Sequence, residues 1–406
     1  MDEKIDARML HDGNETRLTH KSCLLYSVNS FAYFMSWPLL TVLLIQQHGL
    51  SHITVGGIFT ASLLLNTLVA FSSGVLIRCF GAKYCILAGI FLQACGLLVL
   101  GVAPNVPLAL FGLTLVSLGR GTFEAPMKTY LSDSISDKDK LFKTFQLNYL
   151  FVNVGAVLGP LVTVLLGTEQ LWGAFLIAGL LFLMMSVFTA FSFPSYTINI
   201  NEDKVINDYR FALKDRIFIL LLISEILLAY IFIHYDTTLF QFINNLSTEQ
   251  SVDIISRVVI TNSFVVILTQ LMFVTFLSKV SKQIRAVLGG ACFIISSCLI
   301  GTATGIFGEQ YALAIYIAMA FVGVGEAILF PLASILIDKI APVGKKGAYY
   351  SLTNLYLLGY TVGPIIGGWS ISTGNTLLFW LSDGLFVFIS VVILLFAIKR
   401  SVNLKA

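Results

Sequence analysis

The chain has 406 residues, of which 57% are hydrophobic and 12% charged, and its mean hydropathy is +0.88. Soluble globular proteins carry about 25% charged residues, so a chain this long has too few charges to clothe a water-facing surface, and most of its surface faces lipid. That excludes a soluble enzyme, a nucleic-acid binder and a disordered scaffold; the small net charge of +3 says nothing about partners.

A membrane-spanning helix needs about 20 predominantly apolar residues. The first 20 residues (MDEKIDARMLHDGNETRLTH) are polar and lack the apolar core of a signal peptide. They read as a mobile cytoplasmic N-terminal tail, 1–22. Apolar stretches follow near 23–47, 54–77, 84–102, 107–130, 143–166 and 171–193, which make a first six-helix bundle over 23–193. A polar interval at 194–216 reads as a cytoplasmic central linker. Six more stretches, near 217–243, 251–278, 284–306, 310–338, 346–369 and 376–398, make a second bundle over 217–398, and 399–406 reads as a short cytoplasmic tail. The runs lack the period-two alternation of a membrane barrel and are about twice too long for its strands. The expected fold is therefore all-α and integral to the membrane, with twelve transmembrane helices in two pseudo-symmetric bundles.

The positive-inside rule tests that topology. With a cytoplasmic N-terminus, 22 of the 25 Lys and Arg residues fall in cytoplasmic segments. The other three, Arg120, Lys128 and Arg257, lie within spans, and the outer loops hold none. Both termini are expected inside. The six cysteines avoid the outer loops and show no metal-ligand spacing, so neither disulfides nor a metal site is expected. The outer loops are too short for an ectodomain and the linker too short for a catalytic domain.

The chain repeats itself. Gly155-Ala-Val-Leu-Gly159-Pro160 in the fifth span returns 204 residues later as Gly359-Tyr-Thr-Val-Gly363-Pro364 in the eleventh. The same offset relates Gly119 to Gly323 and Gly121 to Gly325. Small residues every fourth position let helices approach closely. Proline inside a span removes a backbone hydrogen bond and invites a bend. Internal repeats of this kind mark secondary transporters.

Two six-helix halves, a basic central loop and Gly-x-x-x-Gly-Pro in the fifth span resemble the major facilitator superfamily along nearly the whole chain. The loop after the second span should carry that superfamily's Gly-x-x-x-Asp-Arg-x-Gly-Arg-Lys motif. Here it reads Gly74-Val-Leu-Ile-Arg78-Cys79-Phe80-Gly81-Ala82-Lys83. Both glycines and the lysine are kept, but Arg78 replaces the acidic gating residue. Leu118-Gly119-Arg120-Gly121 matches the superfamily's membrane-embedded arginine. Gly121-Thr-Phe-Glu124-Ala-Pro126 is most similar to the drug:proton antiporter branch. Gly325-Glu326 through Pro331 is similar to the oligopeptide:proton symporters, whose Glu-x-x-Glu-Arg motif is missing from the uncharged Val28-Asn29-Ser30-Phe31-Ala32-Tyr33.

An ionisable group at the bilayer centre costs roughly 2.5–3.5 kcal/mol on insertion scales, so each one is a functional candidate. Arg120, Glu124 and Lys128 recur at four-residue intervals and share one helix face. Glu124 can pair with either base, and Lys128 sits near enough to the cytoplasmic end to snorkel. Arg120 is too deep for that; it either holds Glu124 or meets an anionic substrate group. Glu326 lies mid-span with no base within two turns of its own helix, which suits a proton carrier; the competing reading is a hydrogen-bonded structural role. Glu225 is the second proton candidate. His234 and Asp236, beside an outer loop, read as solvated or interfacial groups. Asp253 and Arg257 read as a structural i, i+4 pair near the outer face, and Asp383 is open between packing and function.

The resemblance implies a central cavity lined by the first, fourth, seventh and tenth spans. It would bring together Asn29, Tyr33, Arg120, Glu124, Glu225 and Glu326. Of these, Glu326, Glu225 and Glu124 are the proton-coupling candidates, and Arg120, Glu124, Asn29, Tyr33 and Glu326 the substrate-binding ones. Gly155, Gly159, Pro160, Gly359, Gly363, Pro364, Gly74 and Gly81 are the packing and conformational positions. The expected function is proton-coupled transport of a small organic solute by alternating access, with export by antiport ahead of nutrient import by symport and of facilitative uniport. No cofactor beyond the proton is expected. The expected partners are the solute and membrane lipid, without nucleic acid, and the resemblance implies a monomer. The compact loops point to a bacterial inner membrane. An enzyme lacks support: no nucleophile–base pair lies in the membrane and no phosphate-binding GxxxxGK[ST] loop occurs. A sensor would need an output domain that the chain does not show.

Overall fold

The computed structural model describes residues 2–166, 171–194, 202–275, 279–342 and 345–403. Long apolar runs without internal breaks fold as helices because every backbone N–H and C=O is then satisfied within its own segment, the condition for crossing lipid. The helices are α1 (Asp2–Val42), α2 (His52–Phe71), α3 (Ser73–Phe80), α4 (Ala82–Leu100), α5 (Val106–Ser134), α6 (Lys138–Leu166), α7 (Leu171–Ser192) and α8 (Glu202–Ala212). They continue with α9 (Arg216–Ile233), α10 (Leu239–Leu246), α11 (Ser251–Thr275), α12 (Lys282–Phe307), α13 (Tyr311–Ile340), α14 (Lys346–Thr353), α15 (Leu357–Thr373) and α16 (Thr376–Asn403). Two π-helical turns interrupt them, Leu43–Gln47 after α1 and His234–Thr238 between α9 and α10. No strand occurs among the described residues.

Ten helical segments among the described residues are long and apolar enough to cross a membrane. Two differences from the expected spans account for the number. Lys282–Ile337 forms one apolar segment of 56 residues where two spans were expected; a single 3-10 turn, Gly308–Gln310, separates α12 from α13 within it. The eleventh expected span divides into α14, a 3-10 turn at Asn354–Tyr356, and α15, whose 17 residues are short for a crossing.

Burial is arranged for lipid. Leu165 and Phe191 are 84% and 88% exposed, while the buried polar set is dominated by Ser, Thr, Asn and Gln. Contacts divide the chain into two compact units, Met1–Trp37 with Leu68–Asn199 and Pro38–Thr67 with Ile200–Ala406. The chain passes from the first to the second within α1, at Pro38.

In the first unit α4 packs on α5 and α7. Residues 2–22, within the stretch read as a mobile tail, are instead the start of α1, and from Glu15 onward they are fastened to α6 and the turn before it. Glu15 accepts from the Ser136 N–H (2.9 Å) and pairs with Lys140 (3.4 Å). Thr19 and Thr144 share a hydroxyl contact at 2.8 Å, and Ser22 donates to Asn148 at 3.0 Å. Polar residues that looked solvated from sequence are thus consumed by helix–helix hydrogen bonds.

In the second unit α12 packs on α13 and α16, α11 on α13, and α9 on α15 and α16. Asp215 caps α9 by accepting from the Ile217 and Phe218 N–H groups (2.9 and 3.3 Å); such a cap is worth about 1 kcal/mol. Its second oxygen accepts from the Tyr349 hydroxyl at 2.8 Å. Lys345 lies 3.8 Å from Asp208 and 3.6 Å above the Phe211 ring, which ties the linker helix α8 to this end of the unit.

Candidate functional site

The glycine stripes act as spacers. A Cβ at Gly155 would press on Ser27 O and lie 2.7 Å from Phe31 N; at Gly159 it would meet Met35 N at 2.8 Å. Only the absence of a side chain lets α6 approach the α1 backbone this closely. In the second unit Gly359 faces Ile226 O and Tyr230 N, and Gly363 faces Ile233 and His234 on α9 and the π turn. Both helices remain continuous through their prolines, Pro160 and Pro364. Gly81 serves a different need: its φ of +82° ends α3 in a conformation that side chains disfavour. A Cβ at Gly74 would meet nothing within 4 Å.

Arg120 stands mid-way along α5, whose start is fixed by Asn105 accepting from Leu108 N–H at 3.1 Å. Its guanidinium lies 4.1 Å above the Tyr33 ring. Tyr33 stacks on Trp37 at 5.3 Å and meets Phe34 edge-on at 5.2 Å, so the aromatic face beneath the cation is held rigid. A cation over an aromatic face gains about 0.5–2 kcal/mol, more when desolvated. Arg120 therefore has an aromatic contact from a neighbouring helix in addition to the helix face it shares with Glu124 and Lys128. Glu124 is half-buried, and Asn29 holds a buried Nδ2 without a hydrogen-bond partner among the described residues. Arg120, Tyr33 and Trp37 thus form one cluster in the first unit.

In the second unit Glu326 on α13 is only 7% exposed, and Asn262 on α11 donates to it at 3.5 Å. Gly323 brings the two helices together, since a Cβ there would lie 2.7 Å from Asn262 O. Glu225 is half-buried on α9, with no ionic or hydrogen-bond contact among the described residues. Asp253 and Arg257 form the expected i, i+4 pair at 2.7 Å, with both side chains exposed.

His234 departs from expectation. It is fully buried instead of solvated, with its Nε2 3.8 Å from Oδ1 of Asp383, which is fully buried too. His234 closes α9 and opens the π turn. The partner lies on α16, about 150 residues on, a separation that no spacing within one sequence reveals.

An apolar exterior, a hydroxyl- and amide-rich interior and ionisable groups held inside helical units define an integral membrane transporter, not an enzyme. The chain belongs to the Major Facilitator Superfamily, whose sequence profile matches residues 22–357. It is 25% identical over 343 residues to the MFS-type transporter YqjV of Bacillus subtilis (strain 168), covering 82% of this chain and 81% of that one. It is 24% identical over 374 residues to the multidrug resistance protein MdtH of Blochmanniella floridana, covering 90% and 91%. The POT family transporter PepTSo shares the fold at a TM-score of 0.77 and 15% identity, over 95% of this chain and 98% of that one.

Proposed function

We propose that the protein is a proton-coupled secondary transporter that exports a small organic solute by alternating access. Glu326 carries this reading: a carboxylate 7% exposed inside an apolar helix, with Asn262 donating to it, is costly to hold ionised there, and a group that binds and releases a proton makes use of that cost. Glu225 and Glu124 are the further proton-coupling residues. Arg120 with Tyr33, Asn29, Glu124 and Glu326 are the solute-binding groups, where the cation meets an anionic substituent and the rings meet an apolar body. Gly155, Gly159 and Pro160, with Gly359, Gly363 and Pro364, are the seams that allow rearrangement, together with Gly74 in α3 and Gly81 at its end. The working units are two six-helix bundles, 23–193 and 217–398, joined by the linker 194–216. The termini 1–22 and 399–406 face the cytoplasm of a bacterial inner membrane, and the protein works as a monomer. Export is favoured over import by the similarity to a protein named for multidrug resistance and by the uncharged first span.

The test is solute transport in liposomes under an imposed pH gradient. Glu326→Gln is expected to abolish gradient-driven transport at unchanged protein level. Equal transport by wild type and variant would remove Glu326 from the mechanism. Solute moving with protons would replace export by nutrient import, and transport indifferent to the gradient would leave a uniporter.

A further inference from the structure

The buried pair on α9–α10 and α16 has no place in the reading above, yet it is the most desolvated ionisable cluster among the described residues. His234 and Asp383 are each fully buried. His234 Nε2 and both carboxylate oxygens of Asp383 lack a hydrogen-bond partner among the described residues, as does Ser296 Oγ. Native proteins leave few buried polar atoms unsatisfied, and each such atom calls for a cause. The surroundings are aromatic: Tyr230 and Phe379 each meet the imidazole edge-on at 4.7 Å. Tyr235 donates or accepts at Ser297 at 3.0 Å and lies against Trp380.

Charge counting fixes what such a pair can hold. In a medium this apolar a net charge is costly, so the pair retains one proton. It sits either on Asp383 beside a neutral imidazole or on His234 Nε2 beside a carboxylate, and transfer between them leaves the net charge at zero. The other imidazole nitrogen permits both forms: Nδ1 lies 3.0 Å from the Thr238 hydroxyl, which donates to a bare nitrogen or accepts from a protonated one. Losing the proton leaves the site at −1 and gaining a second leaves it at +1, so exchange with water requires the helices around it to move.

The structure provides the moving parts. His234 and Thr238 bound a π-helical turn, a feature concentrated at functional sites. Two glycines of α15 bear directly on it. A Cβ at Gly363 would lie 3.2 Å from His234 Cε1, and one at Gly367 would collide with the Thr238 side chain. The other side of α15 touches α2 just as closely, Pro364 O against Gly56 and Gly368 against His52 O. Displacing α15 from α2 therefore displaces it from the π turn.

We propose that His234 and Asp383 form a proton-binding site in the second unit, separate from Glu326, which exchanges its proton when α15 shifts against the π turn. The other titratable groups on the elements packed around it include Tyr230, Tyr235 and Asp236 on α9 and the π turn, Glu225 about two and a half turns back along α9, and Cys292 and Cys298 on α12. Tyr360 lies on α15 and Glu326 on α13. The Lys and Arg residues of α9, α12, α13 and α16 lie about three or more turns along their helices from the level of the pair, so no fixed positive charge replaces the proton. The role in transport rests on the proton-coupled reading; the titration itself does not.

The experiment is infrared difference spectroscopy of the full chain in liposomes, between about pH 5 and about pH 9, an interval that brackets the ordinary histidine range. A protonated-carboxyl C=O band is expected that is lost in Asp383→Asn, displaced in His234→Gln and retained in Glu326→Gln. 13C-aspartate labelling of the unsubstituted protein should move the same band, which keeps the test decisive if a variant fails to fold. A band insensitive to aspartate labelling, or unchanged in Asp383→Asn, overturns the proposal. Asp383→Asn should also lower pH-driven transport by about tenfold, within the usual range of coupling between sites. A titrating Asp383 band in a protein whose transport ignores the pH gradient would defeat the proton-coupled reading and leave the site standing. Gradient-driven transport without that band would do the reverse.

Discussion

The two units use one seam for different ends. In each, a Gly-x-x-x-Gly-Pro helix lies against the backbone of another helix, with Gly155 over Ser27 and Phe31 in the first and Gly359 over Ile226 and Tyr230 in the second. One turn further on, the first unit presents Met35 and the second His234. The neighbouring helix repeats the contrast. Gly179 on α7 meets Leu98 of α4 as Gly384 on α16 comes near Ile294 and Ser297 of α12, which sets buried Ala178 against buried Asp383. One scaffold thus tolerates either a methionine and an alanine or an imidazole and a carboxylate at matched positions. Packing alone does not require the polar pair. The first unit places its embedded charge elsewhere, on Arg120 above Tyr33.

The sharpest way to break the comparison is to give the second unit the residues of the first. His234→Met alone leaves Asp383 buried without its partner and is expected to cost about 3 kcal/mol, toward the lower end of what a broken buried pair costs. His234→Met combined with Asp383→Ala should recover that loss, because apolar replacement of a whole buried pair is neutral or stabilising by about 1–4 kcal/mol. Thermal denaturation in detergent reads both. A double variant less stable than either single one would mean that the pair holds the fold together.

Next in size come the seams themselves. Gly155→Val and Gly359→Val should each cost about 1–3 kcal/mol through overpacking against backbone atoms. Their similarity tests the claim that the two seams are equivalent; a much smaller loss in one would refute it. Tyr33→Leu removes the aromatic face beneath Arg120 and should cost about 0.5–2 kcal/mol, mainly as weaker binding of solutes that carry a carboxylate. Arg257→Gln should change stability by less than about 1 kcal/mol, since its pair with Asp253 is exposed on both sides.

Much of this was legible in the sequence. Apolar runs of span length, the one-sided placement of Lys and Arg, and the repeated Gly-x-x-x-Gly-Pro follow directly from how backbone and charge behave in lipid, and they led to the all-α membrane fold and the family. Asp253 and Arg257 were readable because their partnership lies within one helix. The contact of Arg120 with the Tyr33 ring was not, because an aromatic face on another helix leaves no spacing signature. His234 was misread because its partner, Asp383, is remote in sequence and leaves no spacing signature. The start of α1 was misread as well: Glu15, Thr19 and Ser22 are polar because they bond to α6, and a polar docked helix has the same composition as a solvated tail.

The most direct test compares the wild-type chain with the His234→Met, Asp383→Ala double variant in liposomes holding a pH-sensitive dye. Cationic, zwitterionic and carboxylated solutes are supplied outside. The wild type is expected to alkalinise the lumen as solute enters, and the double variant to stay folded and lose that pH change. Equal alkalinisation by both proteins would contradict the account, leaving the buried pair as packing and the two units alike.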